Sequence, residues 1–437
     1  MTAHSTYLTP PTADTGHLRA TFQPVFDKIA QGSAEREQGR IFTRDQVRAL
    51  IDAGFATLRI PAGRGGFGAS LRQVLELLAL LGAADANVGH IWRNHLAFVE
   101  DRLSAPASPA NDRWIERLLA GEFVGGGWTE ADNGTFDNIK TRITRAGDHW
   151  EITGRKFYPT GSLYADWLDV LGLGPDGAPL TALVRVDQPG VELIDDWPGF
   201  GQRTTASGSA NYSQARIDEG DLIPLAERNP SLASFYQIAM LAVLAGIVSA
   251  ALRDGIAALR ARKRNYRHAL ATVPTDDPQL LQVLGRISAL SFGAHAALDR
   301  AAAALDLVAD ARIADAGAAA LEDLLIRASI ATSQAQIVII DAALEATTIV
   351  FDALGASGTY ETLRLDRHWR NARTLASHNP RIYKERIIGD WLVNGANPVT
   401  ATSGFAAKPG AGADAAAGAA AGEEVGPANV AANVRGS

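Results

Sequence analysis

The sequence predicts an α+β protein that is mainly helical, with an N-terminal α-domain, a central β-domain and a C-terminal helical bundle. Apolar residues recur at three- and four-residue intervals before residue 120 and again after residue 230, which is typical of helices with one buried face. Between these regions, short β-rich runs are separated by turns at residues 175–177 and 188–190. Because the strands cluster and do not alternate with helices, a dinucleotide-binding α/β arrangement is not expected.

The domain boundaries are predicted where these patterns change. A Thr- and Pro-rich N-terminus at residues 1–14, predicted to be flexible, precedes an α-domain at 15–124 and a β-domain at 125–225. A helical bundle at 230–398 follows, and the Ala- and Gly-rich tail at 399–437 is predicted to be disordered because it has almost no large apolar residues. The predicted helices are 18–34, 44–53, 70–81, 88–103, 112–119, 234–264, 278–309, 316–354, 363–376 and 380–394, and the predicted strands are 139–144, 149–153, 167–173 and 180–186.

Composition and charge exclude several classes of function. The 437 residues include no cysteine, so disulfides, thiolate nucleophiles and cysteine-ligated zinc or iron–sulfur sites are excluded. The formal net charge of −7 argues against a nucleic-acid partner. No apolar run reaches the roughly 18 residues that span a bilayer, and no basic region followed by an apolar stretch opens the chain, so we expect no membrane segment and a cytoplasmic location.

The basic stretch at residues 260–267 is the exception to the acidic composition. It is either the solvated end of a helix, where cations suit the negative end of the dipole, or a phosphate-binding segment. Sequence alone leaves these two interpretations equally weighted.

The first segment with residues suited to chemistry is GGGWTEADNG at 125–134. Its glycines permit close backbone approach, Trp128 offers a flat apolar face, and Thr129 and Asn133 offer hydrogen bonds. Together they could edge a planar heterocycle. The alternative is a glycine-rich linker with Trp128 in the core, and composition alone favours this alternative.

The second segment is GRKFYPTGSLYADW at 154–167. Strict alternation would put its polar and aromatic residues on one face of a strand. A hairpin whose polar face lies in water is the alternative interpretation. The alternating residues are Lys156, Tyr158, Thr160, Ser162 and Tyr164.

The third segment, at 355–379, is a Gly/Ser turn followed by an arginine-rich helix. Arginines at three-residue spacing predict a stripe that either faces an anion or pairs with carboxylates. His378 follows in the loop beside Asn379 and Pro380, where the helix should end, and we expect its pKa to lie near neutrality. The alternative is an idle, solvent-exposed histidine. The arginines are Arg364, Arg367, Arg370 and Arg373.

Two further histidines, His90 and His95, lie five residues apart in a predicted helix. Side chains at that spacing project about 140° apart, so they cannot share a metal ion and no metal site is expected. His95 either lines a pocket or is satisfied by a core neighbour.

The order of the three segments resembles the acyl-CoA dehydrogenase superfamily over roughly residues 15–397. WTEADNG is similar to the family's flavin-edge motif T-E-x-x-x-G-S, GRKFYPTG to G-x-K-x-W-I-T-N, and LDRHWRNART to E-R-x-x-R-D-A-R. The resemblance implies a C-terminal four-helix bundle, a homotetramer and a bound flavin. It implies flavin contacts at Trp128, Thr129, Asn133, Tyr158, Thr160 and Arg370, with Lys263 and Arg264 reaching the phosphate from a neighbouring subunit.

The departures from this family resemble its two-component monooxygenase branch, which acts on dibenzothiophene, sulfones, indole and hydroxyphenylacetate. Where many dehydrogenases carry a catalytic glutamate in Y-E-G-T, this chain reads ASHNP with His378. The branch implies reduced FMN, with FAD left open, supplied by a separate NAD(P)H-dependent reductase, and oxygen activated as a C4a-hydroperoxide. His378 and Ser162 are then the expected catalytic residues, and His95 and Tyr164 the expected substrate contacts.

The substrate implied by this branch is a small aromatic or organosulfur compound. Leu375 stands where the desulfurisation enzymes have a second histidine, so the substrate itself is open. Two other functions stay in view. One is an FAD-dependent acyl-CoA dehydrogenase with a displaced base, and the other is a flavin-binding protein without catalysis.

Overall fold

The computed structural model describes residues 6–130 and 139–399. Its N-terminal region is helical, and several helices begin at the caps that the sequence suggests. Asp14 accepts a hydrogen bond from the backbone N–H of His17 and starts the first helix, while Ser70 and Gln73 form a reciprocal capping box at the fourth. The helices are α1 (Thr15–Ala30), α2 (Ser33–Gly39), α3 (Arg44–Asp52), α4 (Leu71–Ala84), α5 (Ala86–Ser104) and α6 (Pro109–Leu119).

The N-terminal segment before α1 departs from the prediction of a flexible end. Tyr7 and Leu8 are buried, and the Tyr7 hydroxyl donates a hydrogen bond of 2.7 Å to Asp112. Residues 1–5 and the predicted disordered tail from residue 400 onward lie outside the described residues. Tyr7 and Leu8 are therefore packed against α5 and α6, where they complete a small core, whereas residues 9–12 are exposed.

The central region is a mixed sheet with the strand order β6-β7-β3-β2-β4-β5-β8. Most neighbours are antiparallel, but β4 pairs in parallel with β2 and with β1, where Gly125 lies opposite Leu168 and Gly127 opposite Val170. Strand β4 is buried along nearly its whole length, as expected for a central strand. The strands are β1 (Val124–Gly127), β2 (Arg142–Ala146), β3 (His149–Phe157), β4 (Trp167–Leu173), β5 (Pro179–Arg185), β6 (Val191–Ile194), β7 (Ser209–Ile217) and β8 (Leu222–Pro224).

The C-terminal region is a bundle of long helices with α7 at its centre. Helix α7 packs tightly on α4, since an added Cβ at Gly246 would lie 2.3 Å from the carbonyl oxygen of Ala79. Its buried residues surround the helix on all sides, so it belongs to the core rather than to a surface. The helices are α7 (Leu232–Ala261), α8 (Pro278–Ile313), α9 (Ala318–Ile349), α10 (Asp366–His378) and α11 (Ile382–Asn394).

Two of these helices are long and apolar enough to cross a bilayer by length and composition. In α7, 83% of the apolar window is buried inside the protein, and in α9 the share is 50%. A buried central helix of a bundle meets the same criteria, so this feature is weak evidence for a membrane span.

Candidate active site

A cavity of about 1250 Å³ lies where the sheet, α5, the start of α7 and the end of α10 meet. Aromatic rings and a small set of polar side chains line it, which is the usual character of a cofactor or substrate site. Its described lining contains no aspartate or glutamate. The lining includes His90, Arg93, Asn94, Trp128, Thr129, Tyr158, Thr160, Trp197, Gln202, Arg228, Tyr236, Met240, Arg373, His378 and Asn379.

The sheet wall of the cavity joins the first two segments singled out in the sequence. Thr129 pairs with Phe157 across an isolated bridge, with the Phe157 N–H donating to the Thr129 carbonyl at 2.9 Å. Beneath this bridge the buried Lys156 donates to Glu130 at 2.6 Å. Burial alone would raise the pKa of Glu130, but hydrogen bonds from Lys156 and Thr141 lower it to about 2. This ion pair fixes the two segments to each other.

Tyr158 and Thr160 reach the cavity through a turn and not along a strand. Strand β3 ends at Phe157, Tyr158 adopts a left-handed φ of 57°, and residues 162–164 form a short 3-10 turn. The expectation that five alternating residues share one pleated face is therefore wrong, because the backbone leaves the extended conformation at the second of them. Tyr158 stays 52% exposed and Thr160 is buried, with its hydroxyl 2.8 Å from that of Ser207.

The helical wall of the cavity is built by α5 and the end of α10. His90, Arg93 and Asn94 lie on one face of α5, as the three- and four-residue spacing requires. His90 Nδ1 lies 3.1 Å from Gln202 Oε1, and Asn94 Nδ2 donates to the Thr160 carbonyl at 3.0 Å. Arg93 Nη1 lies 3.2 Å from Nε2 of His378, so the guanidinium donates to the imidazole.

His378 is the last residue of α10, just beyond the predicted end of that helix, and it is exposed to the cavity. The expectation that its pKa lies near neutrality is wrong. The surrounding protein desolvates the imidazolium, and Arg93 and His90 repel it, so the pKa of His378 is well below its ordinary value. The ring is therefore a neutral imidazole at neutral pH, with Nε2 accepting from Arg93.

Asn379 adds a polar group to this end of the cavity. Its Nδ2 donates to Gln237 Oε1 at 2.7 Å, and its carbonyl accepts from Gln336 Nε2 at 2.7 Å. These two contacts tie the end of α10 to α7 and α9. Because Asn379 follows His378 directly, these contacts also restrain the position of His378.

The structure does not bring His95 or Tyr164 to the cavity, so their expected role as substrate contacts is corrected. His95 is fully buried, stacks on Phe123 and bonds to the Ala56 carbonyl and the Val124 N–H at 3.1 and 3.2 Å. Both ring nitrogens are thus occupied. Tyr164 donates to the Thr204 carbonyl and accepts from the backbone N–H of Thr43.

Ser162, expected as the catalytic partner of His378, does not line the cavity either. It is 3% exposed, and its hydroxyl donates to the Ala206 carbonyl at 3.1 Å. The 3-10 turn that begins at Ser162 directs the side chain into the protein. Of the two expected catalytic residues, His378 faces the cavity and Ser162 does not.

Three of the four arginines in this segment, of which Arg364 lies just before α10, pair with carboxylates. Arg364 contacts Glu35, Arg367 contacts Asp254, and Arg370 binds Glu37 at 2.8 Å. In this chain Arg370 is therefore occupied and lies off the cavity wall, contrary to its expected flavin contact. Arg373 alone of the four lines the cavity.

The remaining predicted contacts are away from the cavity or outside the described residues. Lys263 and Arg264 are exposed in the segment after α7, and their contact with a neighbouring subunit stays a prediction. Asn133 lies outside the described residues. Among the residues that are described, no group of three or more His, Asp or Glu is placed to hold a metal ion.

Sequence reasoning missed Arg93, Gln202 and Tyr236, and it weighed His90 only as a metal ligand. One signal was available. His90, Arg93 and Asn94 are polar residues spaced on one face of a helix that is otherwise largely apolar, which is the pattern of a polar patch facing a cavity. Gln202 and Tyr236 come from distant elements, so their neighbourhood depends on the fold.

The cavity fits a planar flavin. Trp128, Tyr158 and Trp197 provide aromatic surface, and the Thr129 and Thr160 side chains provide hydrogen-bonding groups beside it. The Trp197 ring meets Tyr158 edge-on at 5.6 Å. An elongated, partly apolar ring system with polar edges matches this combination of surfaces.

Comparison with known proteins agrees with this geometry. Residues 238–380 match the family model described as acyl-CoA dehydrogenase, C-terminal domain. The chain is 26% identical to dibenzothiophene monooxygenase of Rhodococcus erythropolis, over 85% of this chain and 94% of the relative. TdsC of Paenibacillus sp. A11-2, solved with FMN and indole, superposes with a TM-score of 0.79 and 26% identity, covering 88% of this chain and 99% of TdsC. The chain is an acyl-CoA-dehydrogenase-like flavin monooxygenase.

A third relative has the same fold and a different substrate. Methanesulfinate monooxygenase MsuC of Pseudomonas fluorescens superposes with a TM-score of 0.77 and 25% identity, covering 87% of this chain and 97% of MsuC. The relatives of this monooxygenase are thus named for a neutral aromatic sulfur compound in one case and for a small sulfinate anion in another. The fold alone does not choose between these substrates.

Proposed function

We propose that this monooxygenase uses reduced FMN to activate oxygen as a C4a-hydroperoxide and transfers one oxygen atom to a small aromatic or organosulfur substrate. A separate NAD(P)H-dependent reductase supplies the reduced flavin. The observation that carries the proposal is the cavity itself. It exposes a neutral His378 beside Arg93, and its described lining contains no carboxylate.

The lack of a carboxylate in the described lining weighs against dehydrogenation of an acyl-CoA. That reaction needs a base strong enough to remove an α-proton, and the family uses a glutamate for it. Two carboxylates bonded to or adjacent to lining residues are already paired: Asp169 with Arg228, and Glu130 with Lys156. A displaced glutamate base therefore has no counterpart among the described residues of the cavity.

His378 is suited to hold a bound oxygen species. Its Nε2 accepts from Arg93, so the proton of the neutral ring lies on Nδ1, which makes no hydrogen bond within the described residues. That N–H is free to donate to an oxygen atom bound in the cavity. The aromatic rings on the cavity walls lower the local polarity, which strengthens such a hydrogen bond.

A separate reductase is supported by the placement of the one glycine motif in the described residues that resembles a nicotinamide-dinucleotide site. Residues 63–68 match G-x-G-x-x-G, but they begin inside a 3-10 turn (Ala62–Arg64) and continue in a loop before α4. A dinucleotide site needs a preceding strand that delivers the glycine turn to a helix N-terminus. In the proposed reaction, the electrons therefore reach this chain on flavin that the separate reductase has already reduced.

A homotetramer is supported by apolar surface on the bundle. Exposed large apolar side chains on the outer faces of the long helices are costly in water and are typical of subunit interfaces. The most exposed are Phe292 at 79% and Val393 at 82%. Other exposed apolar side chains on α8, α9 and α11 are Leu281, Leu307, Val338, Ile382 and Leu392.

The proposal is tested by turnover with a flavin reductase, NADH, FMN and ¹⁸O₂, using dibenzothiophene, indole and methanesulfinate as probe substrates. We expect at least one product to carry a single ¹⁸O atom and no product to form without oxygen. Product formation in the absence of oxygen, or bleaching of bound FAD by an acyl-CoA, would contradict the proposal and favour the dehydrogenase. Reductase without this chain is the control.

A further inference from the structure

Arg93 is a buried cation that has no carboxylate partner among the residues described by the structure. Its side chain is 9% exposed, and within the described residues its contacts are Met240 Sδ at 3.4 Å, His378 Nε2 at 3.2 Å and the ring of Tyr236 at 5.5 Å. Desolvation lowers the pKa of Arg93 to about 10, so the guanidinium is still charged at neutral pH. A buried, unpaired charge is costly and calls for a compensating partner.

The donors of Arg93 that remain are those that suit an oxyanion. Nε is enclosed without a hydrogen-bond partner, and Nη2 makes no hydrogen bond within the described residues. Nε and Nη2 form one edge of the planar guanidinium, the edge that binds two oxygens of a carboxylate side by side. Because Nε is enclosed, an anion would meet Nη2 first.

The surroundings favour an anion in the same place. The described lining has no carboxylate to repel it, and Arg373 adds a second positive charge on the wall. Arg228 is already neutralised by Asp101 and Asp169. His90 and His378 are uncharged at neutral pH, because burial and Arg93 lower both pKa values.

We propose that the cavity binds a small organic anion, a carboxylate or a sulfinate, on Arg93, and that the substrate of this monooxygenase carries such a group. This inference rests on the proposed function and narrows its substrate class. Arg93 lies on the helical wall beside His378, whereas Thr129 and Tyr158 lie on the sheet wall suited to the flavin. The anion and the flavin therefore occupy different sides of the cavity.

The test is calorimetric titration of the protein, without flavin and with oxidised FMN, using benzoate, benzenesulfinate and benzamide. Benzamide has the ring and shape of benzoate without its charge. We expect both anions to bind at least about tenfold more tightly than benzamide. Arg93→Met should weaken anion binding by about 30-fold or more, because a buried charge pair is worth at least about 2 kcal/mol. Arg93→Lys keeps the charge but loses the planar guanidinium, so its affinity for the anions should lie between those of wild type and Arg93→Met.

Arg373→Met is the matched control, since it removes the same charge from the same cavity. We expect it to weaken benzoate binding no more than about fivefold, as for a solvated charge. Equal affinity for benzoate and benzamide in wild type would overturn the inference, and so would equal losses in the two methionine variants. Loss of benzoate binding when FMN is present would assign Arg93 to the cofactor instead. No oxygen or reduced flavin is involved, so this result is independent of the turnover test.

Discussion

Arg93 and Arg228 are both buried arginines in the wall of one cavity, but they differ in whether a carboxylate pairs with them. Arg228 binds Asp101 at 2.7 Å and Asp169 at 2.8 Å, and these carboxylates outweigh burial and raise the pKa of its guanidinium. Arg93 has no such partner among the described residues, and burial lowers its pKa. Although both arginines are buried, the charge of Arg228 stabilises the fold and the charge of Arg93 is available to a ligand.

The largest expected difference between the two arginines is in stability. Arg228→Met leaves Asp169 buried without a cation and removes one of the cations that bind Asp101. We expect the free energy of unfolding to fall by about 3–5 kcal/mol. Urea denaturation followed by circular dichroism measures this change. A fall in the free energy of unfolding of less than about 1 kcal/mol would contradict a stabilising role for the ion pairs of Arg228.

Arg93→Met should have a much smaller effect on stability. The substitution removes a buried charge that has no carboxylate partner within the described residues, and methionine keeps much of the apolar contact with Met240 and Tyr236. We expect the free energy of unfolding to change by no more than about 1 kcal/mol in either direction. The same denaturation experiment checks this, and a loss as large as that of Arg228→Met would contradict the comparison.

The smallest expected effect concerns pH. His378 has a lowered pKa, so it stays neutral until the pH falls well below 6.5, the ordinary histidine value. Arg93→Met removes one of the causes of that shift, after desolvation, so the pKa of His378 should rise towards its ordinary value. The acid side of the pH dependence of oxygenated-flavin lifetime, measured without substrate, should therefore move to higher pH. Arg373→Met is the control, and a shift to lower pH would contradict the assignment.

Much of the fold is predictable because its patterns are local. The run at 167–173 coincides with β4, and the long Ala- and Leu-rich runs coincide closely with α7 to α9. Strands β6 and β7 are not predicted by such patterns. Strand β7 (Ser209–Ile217) has little regular alternation, because its pairing with β3 includes a register shift near Ile152 and Gly154. A bulge interrupts the two-residue period on which strand prediction depends.

The site is predictable in part for a related reason. His378 and the Thr129 and Tyr158 segments carry local motifs, so a family resemblance identifies them from the amino-acid sequence alone. The position of Ser162 is not predicted because two left-handed residues, Tyr158 and Gly161, change the direction of the chain just ahead of it. The pKa of His378 is not predicted because it depends first on burial and then on Arg93, which is 285 residues away in the sequence. The direction of the Ser162 side chain and the pKa of His378 both depend on the folded structure, which no local sequence pattern contains.

The central claim is that His378, neutral and facing the cavity, supports oxygen activation by the reduced flavin. Stopped-flow mixing of the protein and reduced FMN with oxygen tests it directly, with Ser162→Ala as the matched control because the Ser162 hydroxyl is bound to Ala206. We predict a near-ultraviolet absorbance band in wild type, formed or lost at a rate changed by about tenfold or more in His378→Ala. Ser162→Ala should stay within about twofold of wild type. Unchanged kinetics in His378→Ala would contradict the account.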